Sequence, residues 1–367
     1  MSVHVHSPHP DLPPPSTSVG VIGWLRTNLF SSPINSLFTL LALYILYQLL
    51  PPFFNWAFLD ANWVGNTKEA CTNDGACWVF IKVRFNQFMF GFYPPEQYWR
   101  VISAFLLFGA LIAYLLIEGL PKKAWVAAFT VLGYPVVAYI LFYGGFFGLP
   151  VVETYKWGGL MLTLILSTVG MFFALPAGIV LALGRQSVMP VARSLSIVFI
   201  ELWRGVPLIT VLFMSSVMLP LFIPEDIRID KLIRALIGIS MFQSAYMAEV
   251  VRGGLQALPK GQNEAAEALG LSYWQSMTLV VLPQALKTVI PGIVNTFIEL
   301  FKDTSLVMII GLFDLLSIIQ SSFTDAKWLG FSVEGYVFAG LVYWVFCFSM
   351  SQYSQHLERK LHTGHKR

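Results

Sequence analysis

Charge is what this 367-residue chain has least of. Only 12% of its residues are Asp, Glu, Lys or Arg, whereas 56% are hydrophobic. An average soluble domain is about 25% charged, so too few charges remain here to cover a water-facing surface. Irregular backbone cannot face hydrocarbon, and we therefore predict that the long apolar tracts are membrane-spanning helices. The net charge of +3 gives no indication of a nucleic-acid partner.

Histidine is absent from the interior of the chain, and cysteine is scarce. The three cysteines form no C-x-x-C pair, and the six histidines all lie in the terminal tails, namely His4, His6, His9, His356, His362 and His365. This distribution argues against a metal centre, a haem or a histidine proton relay within the membrane. No G-x-x-x-x-G-K-[ST] loop is present either, so the chain cannot hydrolyse ATP itself.

Eight apolar tracts predict an all-α polytopic membrane protein. They lie near residues 36–58, 99–119, 124–147, 158–184, 195–222, 232–251, 287–312 and 333–355. We divide the chain into a tail and interfacial segment, three front helices with a long loop, a five-helix core with a charged connector, and a short tail. The corresponding ranges are 1–35, 36–157 with loop 59–98, 158–355 with connector 252–286, and 356–367.

Lys and Arg in the short loops predict the orientation of the chain. They are more frequent on the side that carries both termini, which is the cytoplasmic side by the positive-inside rule. Cys71 and Cys77 then lie outside, in an oxidising compartment. There they form either a disulfide or two free thiols.

The connector 252–286 is the most informative segment. Gly270 can take a positive φ and end a helix, Ser272 can cap the next one, and Pro283 suits the first turn of the following span. The connector is predicted to be two short helices meeting near Gly270. By itself, this pattern fits either a docking site for a partner or a plain interfacial connector.

The spacing of the connector resembles the cytoplasmic signature of permeases of ATP-binding-cassette (ABC) importers. That signature is Glu-Ala-Ala, three residues, Gly, nine residues, an aliphatic residue, one residue, Leu-Pro. The matching residues are Glu264, Ala265, Ala266, Gly270, Val280, Leu282 and Pro283, where Val280 replaces the usual Ile. The resemblance implies a type I importer permease core whose connector is a coupling helix docking on a separate ATPase.

Further stretches resemble the amino-acid branch of that family. They are ELWRGVPLI from Glu201, AYMAEVVRGGLQALPKGQ from Ala245 and FKDTSLVMIIG from Phe301. The front part, with GACW from Gly75 and GFYPPEQYWR from Gly91, is similar to the M-type permease of general L-amino acid systems.

The resemblance implies a bacterial inner-membrane importer of amino acids that works by alternating access. Its expected partners are two copies of an ATPase that binds ATP and Mg, a second homologous permease, a periplasmic amino-acid-binding protein and membrane lipid. No cofactor is expected on this chain.

Ionisable groups inside spans are candidates for contact with the solute, because they are costly there. Glu201 and Arg204 share one helical face, which also fits a structural ion pair. Glu249 and Arg252 fit a helix-end ion pair better than a ligand contact. Gln243 is an uncharged candidate.

The seventh span carries the strongest candidates for solute contact. They are Asn295, Glu299, Lys302, Asp303, Thr304 and Ser305. Glu299 or Asp303 could face the ammonium of an amino acid, and Lys302 with Thr304 or Ser305 its carboxylate. A Glu299–Lys302 ion pair that fixes helix packing is the alternative.

Rival functions remain open on the residues alone. Glu201, Glu249 and Glu299 would suit a secondary amino-acid transporter driven by an ion gradient, although such a protein has no ATPase to dock. A membrane-embedded enzyme would need a His, Cys or paired-carboxylate site near the membrane, and the distribution of the histidines does not suit one. A purely structural subunit leaves the connector signature unexplained.

Overall fold

The computed structural model describes residues 20–72, 74–117, 119–224 and 229–361, and most of these are helical, which confirms the predicted all-α class. The predicted tail over 1–19 and the last residues, 362–367, lie outside the described ranges. The α-helices are α1 Gly20–Asn28, α2 Pro33–Phe54, α3 Trp78–Phe90, α4 Tyr98–Leu116, α5 Lys123–Ala128, α6 Tyr134–Tyr143, α7 Gly159–Gln186, α8 Pro190–Arg204, α9 Leu208–Phe213, α10 Lys231–Ala257, α11 Gly261–Ala268, α12 Tyr273–Ser276, α13 Leu282–Thr288, α14 Ile290–Asp303, α15 Leu315–Phe323 and α16 Ser332–Leu361.

Shorter elements join these helices. The 3₁₀ turns are Lys68–Ala70, Pro95–Gln97, Thr154–Lys156, Leu219–Phe222, Thr304–Ile310 and Ala326–Trp328, and a two-residue strand, β1, covers Phe313–Asp314. The π-helical turns are Asn55–Leu59, Phe129–Gly133, Met214–Met218 and Met277–Val281. Three of the π turns end two residues before a proline, at Pro135, Pro220 and Pro283. Proline cannot donate a backbone hydrogen bond and clashes with the carbonyl four residues earlier, so a wider turn lets the helix continue.

Five single helices in the described ranges are long and apolar enough to cross a membrane. They are Pro33–Leu59, Pro95–Leu116, Lys123–Tyr143, Gly159–Gln186 and Ser332–Leu361, and two bent helix pairs bring the number to seven. The remaining predicted span, the sixth, near 232–251, is α10. Its 27 residues are long enough to cross, at about 40 Å. It is less apolar in part because polar residues such as Gln243 and Ser244 lie on its buried face.

Two predicted spans are broken, which corrects the sequence-based boundaries. The predicted span 195–222 bends by 102° between α8 and α9, at Gly205 and Pro207. The predicted span 287–312 begins earlier, at Tyr273, and bends by 63° between Thr288 and Ile290. Pro283 therefore lies within a helical stretch, two residues after the end of a π turn, and not at the start of the span.

Small residues let α7 and α10 pack closely at the centre of the fold. Gly170, Ala174, Gly178 and Ala182 recur every fourth residue of α7, and all four are buried. A Cβ added at Gly178 would lie 2.6 Å from the Met247 side chain on α10. Backbones that approach this closely gain van der Waals contact, which is the main attraction between helices in lipid.

The front helices α4 and α6 share one hydrophobic core with α7 and α10. Arg100 on α4 is fully buried, and its guanidinium donates to the carbonyls of Leu141 at 2.6 Å and Pro150 at 2.9 Å. A cation at the carboxyl end of α6 complements the dipole of that helix. Arg100 thus fixes the carboxyl end of α6 to α4.

The chain forms two compact units that divide between Val79 and Phe80, and the N-terminal unit has its own cross-links. Cys71 and Cys77 form a disulfide with their Cα atoms 5.6 Å apart. The backbone of Asn62 donates to Ala76 at 2.8 Å, and the Trp78 indole donates to the Ala57 carbonyl at 2.7 Å. The predicted domain division at 157/158 stays a prediction.

Candidate functional site

The connector contains the two short helices that its sequence predicts. α11 ends at Ala268, Gly270 has a φ of +78°, and its amide donates to the Glu267 carbonyl at 2.9 Å. Ser272 then opens the next helix with a capping box, in which its amide donates to Gln275 at 2.9 Å. A left-handed glycine followed by a capped helix start produces a tight reversal of the chain.

Side chains attach α11 to the helix that follows it. Ser276 donates to Asn263 at 3.1 Å, and Gln284 donates to Gln262 at 3.0 Å. Ala266 is the buried residue of α11, whereas Glu264, on the same helix, is exposed. These contacts make α11 and the helix from Tyr273 to Thr288 one hairpin.

The tip of this hairpin exposes apolar side chains. Leu269 is 82% exposed, at the tip beside Gly270, and Trp274 is 66% exposed. Ala265 and Ala268 are exposed on the same short helix. An exposed patch of small, aliphatic and aromatic side chains is typical of a protein-binding surface.

A cluster of five charged residues joins the ends of α7, α8 and α10, and we call it the Glu249 cluster. Glu249 lies 2.9 Å from Arg185, 2.5 Å from Arg252 and 3.7 Å from Arg204. Arg185 also lies 2.9 Å from Glu201. The Glu249 side chain is only 15% exposed, so one mostly buried carboxylate contacts three guanidinium groups from three helices.

The Glu249 cluster differs from the pairing considered from sequence. Glu249 and Arg252 do form the helix-end pair, with hydrogen bonds of 3.0 and 2.5 Å. Within the described part of the chain, however, Glu201 pairs with Arg185 and not with Arg204, its neighbour on the helical face. Arg204 instead lies near Glu249 and over the Tyr246 ring, 5.6 Å from its centroid. The role of Glu201 and Arg204 in solute contact stays a prediction.

The candidates on the seventh span separate into exposed and buried residues. We call the exposed set, Asn295, Glu299 and Lys302, the α14 stripe. Among the described residues neither Glu299 nor Lys302 has an ion-pair partner within 4.0 Å, so the alternative Glu299–Lys302 pair is not formed in this structure.

The remaining candidates face the protein interior to different degrees. Thr304 is fully buried and donates to the Phe301 carbonyl at 2.8 Å, while Asp303 and Ser305 are half-buried. Gln243 on α10 is buried and donates to the Thr296 carbonyl of α14 at 2.7 Å. Gln243 therefore ties α10 to the helix that carries the stripe.

Asp314 is a buried polar centre that the sequence reasoning missed. It is fully buried and accepts hydrogen bonds from the Ser317 amide at 3.0 Å and the Tyr343 hydroxyl at 2.9 Å. The signal was present, because an Asp directly before an apolar helical run is a typical N-cap. Asp314 fixes the start of α15 after the left-handed Gly311.

Fold and site together define a polytopic helical membrane protein with an exposed short helix on one side. The family described as "Binding-protein-dependent transport system inner membrane component" matches residues 174–363, more than half of the chain. The chain belongs to this family and is the inner-membrane permease subunit of an ATP-driven importer, in the branch of the amino-acid ABC permeases.

Relatives match almost the whole chain. The inner membrane amino-acid ABC transporter permease protein YhdY of Escherichia coli strain K12 is 61% identical over 97% of both chains. The glutamate/glutamine/aspartate/asparagine transport system permease protein BztC of Rhodobacter capsulatus is 39% identical over 96% of both. A solved amino acid ABC transporter with histidines is 29% identical at a TM-score of 0.49, covering 55% of this chain and 92% of that one.

Proposed function

We propose that this chain forms one half of an amino-acid pore whose opening is driven by an ATPase docked on the α11 hairpin. The observation that carries the proposal is the exposed apolar tip of the α11 hairpin, with Leu269 and Trp274, together with the exposed Glu264 on α11. ATP and Mg are held by the ATPase, expected in two copies, and this chain binds neither. The name of YhdY and that of BztC support amino acids as the solute.

The hairpin provides a route from the ATPase to the solute path. Hydrogen bonds from Ser276 and Gln284 make α11 move with the helix that ends at Thr288. That helix meets α14 at a 63° bend, and α14 carries the stripe. Closure of the ATPase pair therefore moves the stripe, which alternating access requires.

The α14 stripe supports a second, homologous permease as the other half of the pore. A charged side chain facing hydrocarbon at the bilayer centre costs about 3 kcal/mol on insertion scales. Glu299 and Lys302 are both exposed in the isolated chain, so protein or water must cover this face. In the pore, Glu299 would meet the ammonium of the solute and Lys302 its carboxylate.

The proposed topology places both termini and α11 in the cytoplasm. The loop closed by Cys71 and Cys77 then lies outside, where a periplasmic amino-acid-binding protein delivers the solute. The excess of Lys and Arg on the side of α11 supports this orientation.

The docking proposal is tested by Leu269→Asp, with Val188→Asp as the matched control. Val188 is 96% exposed in the turn between α7 and α8, so the same chemical change falls on another exposed residue. We expect Leu269→Asp to lower co-purification of the ATPase roughly thirtyfold, as loss of an interface hot spot does. Glu264→Lys should act in the same direction, with Glu358→Lys as its control.

The ion-gradient alternative is tested in vesicles. Uptake should stop when ATP is depleted while the ion gradient is held. Uptake that persists, together with normal ATPase recovery by Leu269→Asp, would contradict the proposed function.

A further inference from the structure

An apolar groove lies between the front helices and the core, and the proposed transport cycle gives it no role. A cavity of about 470 Å³ lies between α4, α6, α7 and the start of α10. Its walls include Phe105, Phe108, Phe142, Ile165, Phe172 and Leu236. A second cavity of about 470 Å³ continues along α7 and α10 as far as Ser244. The two share Val169, Phe173, Ile233 and Leu236, so they form one groove.

The length of the groove fits one lipid tail. From Asp230 to Ser244 it follows α10 for about 21 Å, at 1.5 Å per residue. Half of the hydrocarbon core of a bilayer is about 15 Å thick. An acyl chain that enters at Asp230 can therefore lie along the groove through one leaflet.

The entrance to the groove has charge of one sign. Glu153 and Asp230 both line it, and the Thr154 hydroxyl donates to Asp230 at 2.6 Å. Within the described ranges, no lysine or arginine nitrogen lies within 4.0 Å of either carboxylate. The ammonium of Lys231, the next residue after Asp230, lies beside Gly311, 3.5 Å from where a Cβ atom would be at that glycine. An acidic entrance attracts a cationic group and repels a free fatty acid.

We propose that this groove binds one phospholipid with a primary ammonium headgroup, such as phosphatidylethanolamine. The ammonium lies at Glu153 and Asp230, and one acyl chain lies along α7 and α10. Because α4 and α6 form one wall and α7 and α10 the other, the lipid fills the seam between the front helices and the core. The front helices thereby give this permease a lipid requirement that a five-helix core alone would lack.

The test uses the complete importer complex, reconstituted in vesicles that contain phosphatidylethanolamine with a photoreactive acyl chain. Matched vesicles contain phosphatidylcholine with the same chain. We expect cross-links on peptides covering 164–173 and 233–244, with phosphatidylethanolamine favoured. Glu153→Gln should lower its cross-linking about threefold, equivalent to about 0.7 kcal/mol for an exposed ion pair. It should leave phosphatidylcholine unchanged.

Two variants complete the design. Glu96→Gln removes another exposed carboxylate that does not line the groove, and it should change nothing. Thr168→Phe narrows the groove and should lower cross-linking of both lipids. Equal cross-linking of the two lipids in the wild type would overturn the headgroup assignment. Cross-links from a photoreactive residue at 168 to a second permease subunit would show that protein covers the groove, and would overturn the proposal.

Discussion

The Glu249 cluster and the α14 stripe differ in the burial and the pairing of their charged side chains. In the cluster, a carboxylate that is 15% exposed is bound by guanidinium groups from three helices. In the stripe, Glu299 and Lys302 are exposed and, within the described part of the chain, unpaired with any charge inside 4.0 Å. A mostly buried carboxylate with its partners in place holds helices together, whereas exposed charges on a membrane helix must be covered by water or by another chain.

The largest effect should come from Glu249→Gln. The change leaves three arginines from α7, α8 and α10 without their common carboxylate, so we expect a loss of about 2 kcal/mol of stability. Thermal unfolding of the purified complex measures it as a lower Tm. Glu358→Gln, on the exposed end of α16, is the control and should leave the Tm unchanged.

A second variant sharpens the same measurement. Glu201 is 56% exposed and serves Arg185 alone within the described ranges, so Glu201→Gln should lower the Tm less than Glu249→Gln. Equal shifts for the two variants would show that the cluster does not depend on Glu249.

Substitutions in the α14 stripe should lower transport activity and leave stability unchanged. Glu299→Gln should lower solute uptake roughly tenfold if the carboxylate binds the ammonium, since a hydrogen bond to a charged group contributes about 1.5 kcal/mol or more. The Tm should stay constant, because the structure gives Glu299 no ion pair to lose among the described residues. Uptake assays with the complete importer in vesicles measure the rate and the affinity.

A different result for Glu299→Gln would contradict the solute-binding role of the stripe. Normal uptake with a lowered Tm would assign Glu299 to helix packing, most simply against the proposed second permease. Glu299 and Glu249 would then both be structural residues, and the proposed role of the stripe in solute binding would be wrong.

Contacts local in sequence could be predicted, and those between distant helices could not. The reversal at Gly270 and the cap at Ser272 follow from backbone chemistry of adjacent residues. The Glu249–Arg252 pair follows from helical spacing. Arg185 approaches Glu249 across 64 residues, and no periodicity within one helix can show that contact.

Hydropathy also concealed the breaks in the spans. Gly205 and Pro207 are plain signals for a helix end, yet the apolar residues on both sides read as one tract. The break is a 102° bend that only the packing of α8 and α9 in three dimensions reveals. The uninterrupted spans α7 and α16, by contrast, lie close to where their apolar runs predict them.

We expect the smallest effect for the Arg84–Asp325 pair, which is partly exposed and contributes little to stability. Asp325 accepts hydrogen bonds from the Lys327 amide and from the Arg84 guanidinium. These contacts, the Lys327 amide most strongly, hold the pKa of its carboxyl below the usual value. A lowered pKa means that the ionised carboxylate stabilises the folded loop at neutral pH. The contribution is lost only as the pH falls below about 4, through the ordinary aspartate pKa and then the lowered one. Because the side chain is 35% exposed, we expect hydrogen exchange of residues 324–328 to rise modestly over that range. Asp325→Asn should remove the pH dependence, while a wild-type response already present between pH 7 and 5 would point to a different titrating group.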